Sequence, residues 1–368
     1  MSLNQMKWGA KPVIVMGHGI RASGADPTRL LGLLVPVISS WQAADLVDNR
    51  DPMYFGRPGI YGQRCANRIL YEADQVVAIG CRMTPWMIGH AGLRPEQELV
   101  MVECDQYEAA RFPNARWVAG DAKDFIENLP GRFSDLGWIE QCRQWRKQYP
   151  WVESPSHDDT TFINSYRFME RLEPLLRPDE IVVVDVGSLM CPPFQALHVK
   201  PPQRLITSGG LGEMGCALPM SVGISAVGRR QVLCLVGDGG LMMNLQELQT
   251  VVHHKLPIKI VVFANDGYAM IKGTHRNLKI QYVGVNKASG VSMPRFTQIA
   301  YAFGISAGHV GTWEDFDRAM PQFLACDEPS LLEVFIDPEQ AYVPRLQPVR
   351  NADGTFSPPK FSELSPNV

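Results

Sequence analysis

The chain has no excess of charge of either sign. It carries 35 Lys and Arg against 38 Asp and Glu, a formal net charge of -3 over 368 residues. Nothing in that balance points to a nucleic acid or an anionic membrane surface as the partner. No stretch approaches the eighteen or so uncharged apolar residues that a membrane span needs. The opening MSLNQMKWGAKPVIV has neither the apolar core of a secretory signal nor the Arg- and Ser-rich character of a transit peptide. Cysteine pairs are missing too. The eight cysteines (65, 81, 104, 142, 191, 216, 234 and 326) are scattered, with no CxxC and no zinc-type spacing. They fit buried thiols in a reducing cytoplasm, and a cytoplasmic location is the expectation. Internal repeats and low-complexity tracts are absent as well.

What is present is alternation. Short apolar runs alternate with helical-period segments in two blocks, the pattern of an α/β fold with mainly parallel sheets flanked by helices. In the first block the strand candidates are residues 12–16, 36–39, 75–80 and 99–103, with helices over 28–34 and 63–72. Residues 131–157, rich in Trp, Arg, Gln and Pro, read as a helix and a linker. The second block opens with a helix over 162–176 and has strands at 180–184, 204–207, 231–236, 258–264 and 330–335. The expected division is a Rossmann-like domain with its linker over 1–155, a second α/β domain over 156–345, and a Pro-rich surface tail over 346–368.

Two of these strands end alike. QVLCLVGDGG places Asp238 between Gly237 and Gly239, and IKIVVFANDGY places Asn265 at the close of the next strand. If a helix over 243–254 joins them in a βαβ unit, both carboxyl ends lie on one sheet edge, where open α/β folds hold ligands. A carboxylate and an amide oxygen suit a hard cation such as Mg2+, which completes its shell with carbonyls, water and phosphate. Glycines beside Asp238 let the backbone approach that phosphate. Either half alone reads more simply as an ordinary Asp or Asn turn. The two together ask for a metal-bridged diphosphate.

GDGGLMMNLQEL followed by FANDGY resembles the signature of thiamine diphosphate (ThDP) enzymes. The resemblance implies that Asp238, Asn265 and the carbonyl of Gly267 hold Mg2+, and that Gly237, Gly239, Gly240, Tyr268, Ala269 and Met270 border the cofactor. Ala264 stands where the family often has a second Asn. SGGLGEMGCALP, 208–219, resembles a segment of the acetolactate synthase group within that family. It implies that Gly212 lines the cofactor and that Met214 packs between its two rings. Asp185-Val186-Gly187 resembles a further cofactor loop, with Gly187 and Ser188 as candidates, although the family's polar pair is replaced by Ser188 and Leu189. In the first block GHGIRASGA, FGRPGIYGQRCAN and QVVAIGCRM resemble, in order, the central domain of the same group, which implies a domain that holds FAD, ADP or nothing.

The resemblance covers the last two of the family's three domains. Its pyrimidine-binding domain carries the glutamate that activates the cofactor, and no Glu here stands in that context. No catalytic residue is therefore expected in this chain. The expectation is the large subunit of a split enzyme, with a separate pyrimidine-binding subunit supplying the glutamate; a truncated chain is the competing explanation. The implied reaction decarboxylates a pyruvate-like 2-keto acid and transfers the remaining two-carbon unit to an acceptor carbonyl. The tail resembles those of relatives tied to carbohydrate pathways, which suggests a sugar-derived acceptor. Two alternatives stay open: a two-subunit decarboxylase of a substituted pyruvate, and a non-catalytic ThDP-binding module. Residues 270–294 read as a lid in which Lys272, His275 and Arg276 meet the substrate's carboxylate or phosphate, or else form a solvated basic stretch. Family sites lie between chains, which implies a homo- or hetero-oligomer.

Overall fold

The computed structural model describes residues 7–129, 131–346, 349–351, 353 and 355–357. The chain forms two compact units: one from Met1–Trp151 with His198–Pro201 and the part from Val343 on, the other from Val152–Leu197 and Pro202–Tyr342.

The first unit is built on five parallel strands, β1 (Pro12–Met16), β2 (Val37–Ser39), β3 (Gln75–Ile79), β4 (Glu98–Glu103) and β5 (Arg116–Ala119), in the order β2-β1-β3-β4-β5. All five residues of β1 and all five of β3 are buried, as expected for central strands covered on both faces. Helices such as Arg64–Glu72 and Leu136–Gln148 cover them; Asp135 caps the second by accepting the Gly137 N–H at 2.8 Å. Two distant segments complete this unit. Val199 N–H donates to Asn49 Oδ1 at 3.1 Å, and Leu346 N–H donates to the Ile60 carbonyl at 2.7 Å. The strand order reverses between β1 and β3. At that point Gly17 N–H donates to Ile79 O at 2.9 Å and Gly19 N–H to Gly80 O at 3.0 Å.

The second unit has six parallel strands, β6 (Ile181–Val184), β7 (Arg204–Thr207), β8 (Val232–Gly237), β9 (Ile258–Ala264), β10 (Ser306–Val310) and β11 (Ser330–Phe335), in the order β10-β11-β9-β8-β6-β7. Residues 232–236 are all fully buried. Each such Val or Leu stabilises the fold by roughly 1.5–3 kcal/mol relative to an exposed side chain. The chain leaves β6 for one side of the sheet and β8 for the other, so the switch point falls between the carboxyl ends of β6 and β8.

Both units are thus α/β, with parallel sheets flanked by helices. Two strands, β5 and β10, were not expected; they lie at sheet edges and are partly exposed. The helix expected over 243–254 begins only at Glu247, because 238–241 form a separate short turn of helix after β8. The tail expected over 346–368 lies largely outside the described residues. Its described part includes Leu346, which is buried, and a two-stranded antiparallel ribbon of Val349–Arg350 with Phe356–Ser357.

Candidate cofactor site

Asp238 follows β8 and Asn265 follows β9, two neighbouring strands paired in register up to Gly237 and Phe263. Both side chains are buried, at 2% and 6% exposure. One carboxylate oxygen of Asp238 accepts the Asn265 N–H at 3.0 Å and the Gly267 N–H at 3.2 Å; the other accepts the Gly239 N–H at 2.7 Å. Burial pushes the acid up to about 6, even though these backbone donors favour its ionised form.

The amide oxygen of Asn265, Oδ1, is buried without a hydrogen-bond partner. Leaving such an acceptor unsatisfied costs about 1–3 kcal/mol. A hard cation would relieve that cost, and it would hold Asp238 ionised as well. The donor set fits Mg2+: one carboxylate, one amide oxygen and a backbone carbonyl nearby at Gly267, leaving positions for water and phosphate. Among the described residues no group of three or more His, Cys, Asp or Glu is placed to hold a metal, so a cation here rests on this mixed oxygen set.

The glycines around Asp238 have different reasons for being glycine. A Cβ on Gly237 would meet nothing within 4 Å, which leaves that backbone open to a ligand. A Cβ on Gly239 would lie 2.4 Å from the Tyr268 ring, and one on Gly240 only 2.0 Å from an Asp185 carboxylate oxygen. Gly267 sits at φ 138° against the Val285 carbonyl, a contact its missing side chain permits. Tyr268 N–H donates to that same carbonyl at 2.9 Å.

Asp185 comes from the end of β6, across the switch point. Its carboxylate accepts the Gly215 N–H at 3.0 and 3.1 Å and the Val186 N–H at 2.9 Å. The Cys216 thiol lies 3.4 Å away, and its acidity is pushed up to about 12 by burial and by this carboxylate. Met214, one residue before Gly215, is 41% exposed, and Gly212 beside it is exposed. The turn that carries Met214 is held by the backbone hydrogen bonds of Gly215. Gly187 and Ser188 follow β6 in a short turn. Tyr342, buried, has its phenol pushed up by burial, with the Ser188 and Asn265 side chains acting in the opposite direction.

Ala269 and Met270 begin the helix Ala269–Leu278, which also carries Lys272, His275 and Arg276. The Lys272 amine is buried against the Pro338 carbonyl and lies 3.4 Å from a Glu339 carboxylate oxygen; Arg276 pairs with the other oxygen of Glu339. His275 keeps a buried Nδ1 without a hydrogen-bond partner. Within the expected lid, 270–294, the second half is braced where Asn286 and Ser289 cap one another. Sequence reasoning missed Asp185, Asn244 and Tyr342 as parts of this site. Asp185 and Asn244 stood in segments already singled out; Tyr342 did not.

Comparison with known proteins follows the same geography. Residues 185–334 match the model described as the thiamine pyrophosphate enzyme, C-terminal TPP binding domain, and residues 3–129 match that of the central domain of thiamine pyrophosphate enzymes. The chain belongs to the thiamine pyrophosphate enzymes. It is 28% identical to the acetolactate synthase isozyme 2 large subunit of Escherichia coli, over 92% of this chain and 62% of that protein. Similar figures hold for probable acetolactate synthase large subunits of Methanococcus aeolicus (26%, covering 90% and 59%) and Methanocaldococcus jannaschii (28%, covering 96% and 64%). The chain thus spans about three fifths of the length of these relatives. No helix among its described residues is long and apolar enough to cross a membrane.

Proposed function

We propose that this chain is the large subunit of a ThDP-dependent decarboxylase and carboligase acting on a pyruvate-like 2-keto acid. In this reading Mg2+ is held by Asp238, Asn265 and the Gly267 carbonyl. The observation that carries it is the buried, unpartnered Oδ1 of Asn265 beside a buried carboxylate at the switch point. ThDP, when bound, supplies the electron sink for breaking the bond to the departing carboxylate and for making a new carbon–carbon bond. The chain's own part is to anchor the diphosphate end through the cation and the open backbone at Gly237. It also supports the rings at Met214 and excludes water with the segment around Tyr268 and Val285.

The activating glutamate is assigned to a pyrimidine-binding domain, which neither matched region of this chain represents. Decarboxylation of a substituted pyruvate is separated from carboligation by the product: a free aldehyde against a new carbon–carbon bond. A substrate role for Lys272 and Arg276 requires Glu339 to release them; His275 needs no such release. FAD or ADP in the first unit would lie at the β1/β3 switch point. There the Gly17 and Gly19 amides are already bonded to Ile79 and Gly80, so the reading assigns a nucleotide no step.

The test loads the chain with Mg2+ and ThDP and follows deuterium exchange at the thiazolium C2. Exchange no faster than in free ThDP, with binding confirmed, is the expected result. Fast exchange would place an activating acid among these 368 residues and end the assignment of the glutamate to another domain.

A further inference from the structure

Met214 is 41% exposed, and the proposed role demands a fixed position for it. The geometry points to Asp185 and Asn244 as a pair of positioning residues that clamp the turn bearing Met214, an inference that rests on the cofactor reading above.

The clamp closes on Gly215 from two sides. Its N–H, part of the Met214–Gly215 peptide, donates to both oxygens of the Asp185 carboxylate at 3.0 and 3.1 Å. Its carbonyl accepts from the Asn244 side-chain amide at 2.8 Å. The peptide planes before and after Gly215 are therefore both oriented by side chains from elsewhere in the unit. Cys216 adds a thiol to the same carboxylate at 3.4 Å.

The turn cannot slide along its supports. Gly215 sits at φ 88°, and a Cβ there would lie 2.6 Å from Met243 Cβ, 2.9 Å from Asn244 Nδ2 and 2.9 Å from the Gly240 carbonyl. Asp185 in turn presses on Gly240, where only a hydrogen fits. The 208–216 turn is thereby pinned to the segment 238–244, which opens with the metal-ligand candidate Asp238. By contrast Leu211, on the same turn, is 91% exposed and makes no anchoring contribution.

The consequence is a fixed spacing between two functions. One end of the cofactor is set by Asp238 and the other by Met214, and Asn244 ties the second to the chain that carries the first. Loss of the Asn244 bond should loosen the ring support and leave the diphosphate anchor intact.

Asn244 is half-buried, so Asn244→Ala is the variant of choice; Asp185→Asn, which keeps one acceptor oxygen in a buried place, is the second. Binding would be measured by calorimetry with two probes, Mg2+·ThDP and Mg2+·pyrophosphate, on the full chain. The expected result is a loss of about tenfold for Mg2+·ThDP, the size of one net hydrogen bond, and under about twofold for Mg2+·pyrophosphate. In a Met214→Ala background Asn244→Ala should cost nothing further, because the two act through one element. Equal losses for both probes, no loss in either variant, or full additivity with Met214→Ala would overturn the clamp alone. A wild-type chain that fails to bind Mg2+·ThDP at all would overturn the cofactor reading and the clamp with it.

Discussion

The backbone N–H of Asn265 is bonded to the side chain of Asp238 at 3.0 Å, while the Asn265 amide oxygen faces no protein donor. One residue thus steadies the carboxylate with its main chain and leaves its side-chain oxygen for something else. Asp238→Ala should therefore weaken Mg2+-dependent ThDP binding on the order of a hundredfold or more, since it removes a proposed ligand rather than a neighbour of one. Titration calorimetry with and without Mg2+ checks this; unchanged affinity would remove the cation from the site.

Asn265→Leu should separate fold from function. It replaces an unsatisfied buried oxygen by an apolar group of similar size but also removes the side-chain hydrogen bond to Tyr342, so the two effects offset and the cofactor-free chain should stay within about 1 kcal/mol of wild type. Mg2+-dependent binding should disappear. A thermal melt and a binding isotherm on the same preparation give both answers.

The raised acidity constant of Asp238 has a definite sign. Its folded value of about 6 exceeds the ordinary 3.8, so the folded state holds the proton more tightly than the unfolded chain between those values. This contribution to stability is complete below pH 3.8 and is lost as pH rises through about 6. The cation demands the opposite form. Apparent Mg2+ affinity should fall as pH drops through 6, by up to about tenfold per unit, and Asp238→Asn should flatten both profiles. Denaturant unfolding and calorimetry across pH 4–8 would test the pair.

Gly240→Ala and Gly237→Ala should fail differently. The first drives a methyl into the Asp185 carboxylate and should destabilise the cofactor-free fold by about 1–3 kcal/mol. The second meets open space at an ordinary φ of -78° and should leave that fold within about 0.5 kcal/mol of wild type. Weaker ThDP binding in Gly237→Ala, without a change in melting, would mark the place where phosphate approaches the chain. Equal melting losses in both would show that neither glycine is kept for a ligand.

Much of this arrangement could be read from residue order. Strands β9 (IKIVVFA) and β11 (SLLEVF) run over the expected residues because Ile, Val, Leu and Phe dominate both runs, each interrupted by a single charged residue, Lys259 or Glu333. The edge strands β5 (RWVA) and β10 (SAGHV) carry no such run; they are half in water, and only their neighbours' hydrogen bonds make them strands. In the site, Asp238 and Asn265 announce themselves by repeating a motif at two strand ends. Asn244 does not, because its role depends on a glycine 29 positions earlier. Gly240 misleads in the other direction. It looks like part of a phosphate loop and in fact makes room for Asp185.

The first unit is sewn from three separate stretches of chain, the last arriving at Val343. During synthesis its five strands emerge early, but the partner for the Ile60 carbonyl, Leu346, leaves the ribosome only after the whole second unit has been made. The first unit must therefore wait, unfinished, while the second can fold ahead of it, and loop closure over such a separation is slow. A gene cut near residue 155 would yield two fragments of which the earlier lacks its final stitches.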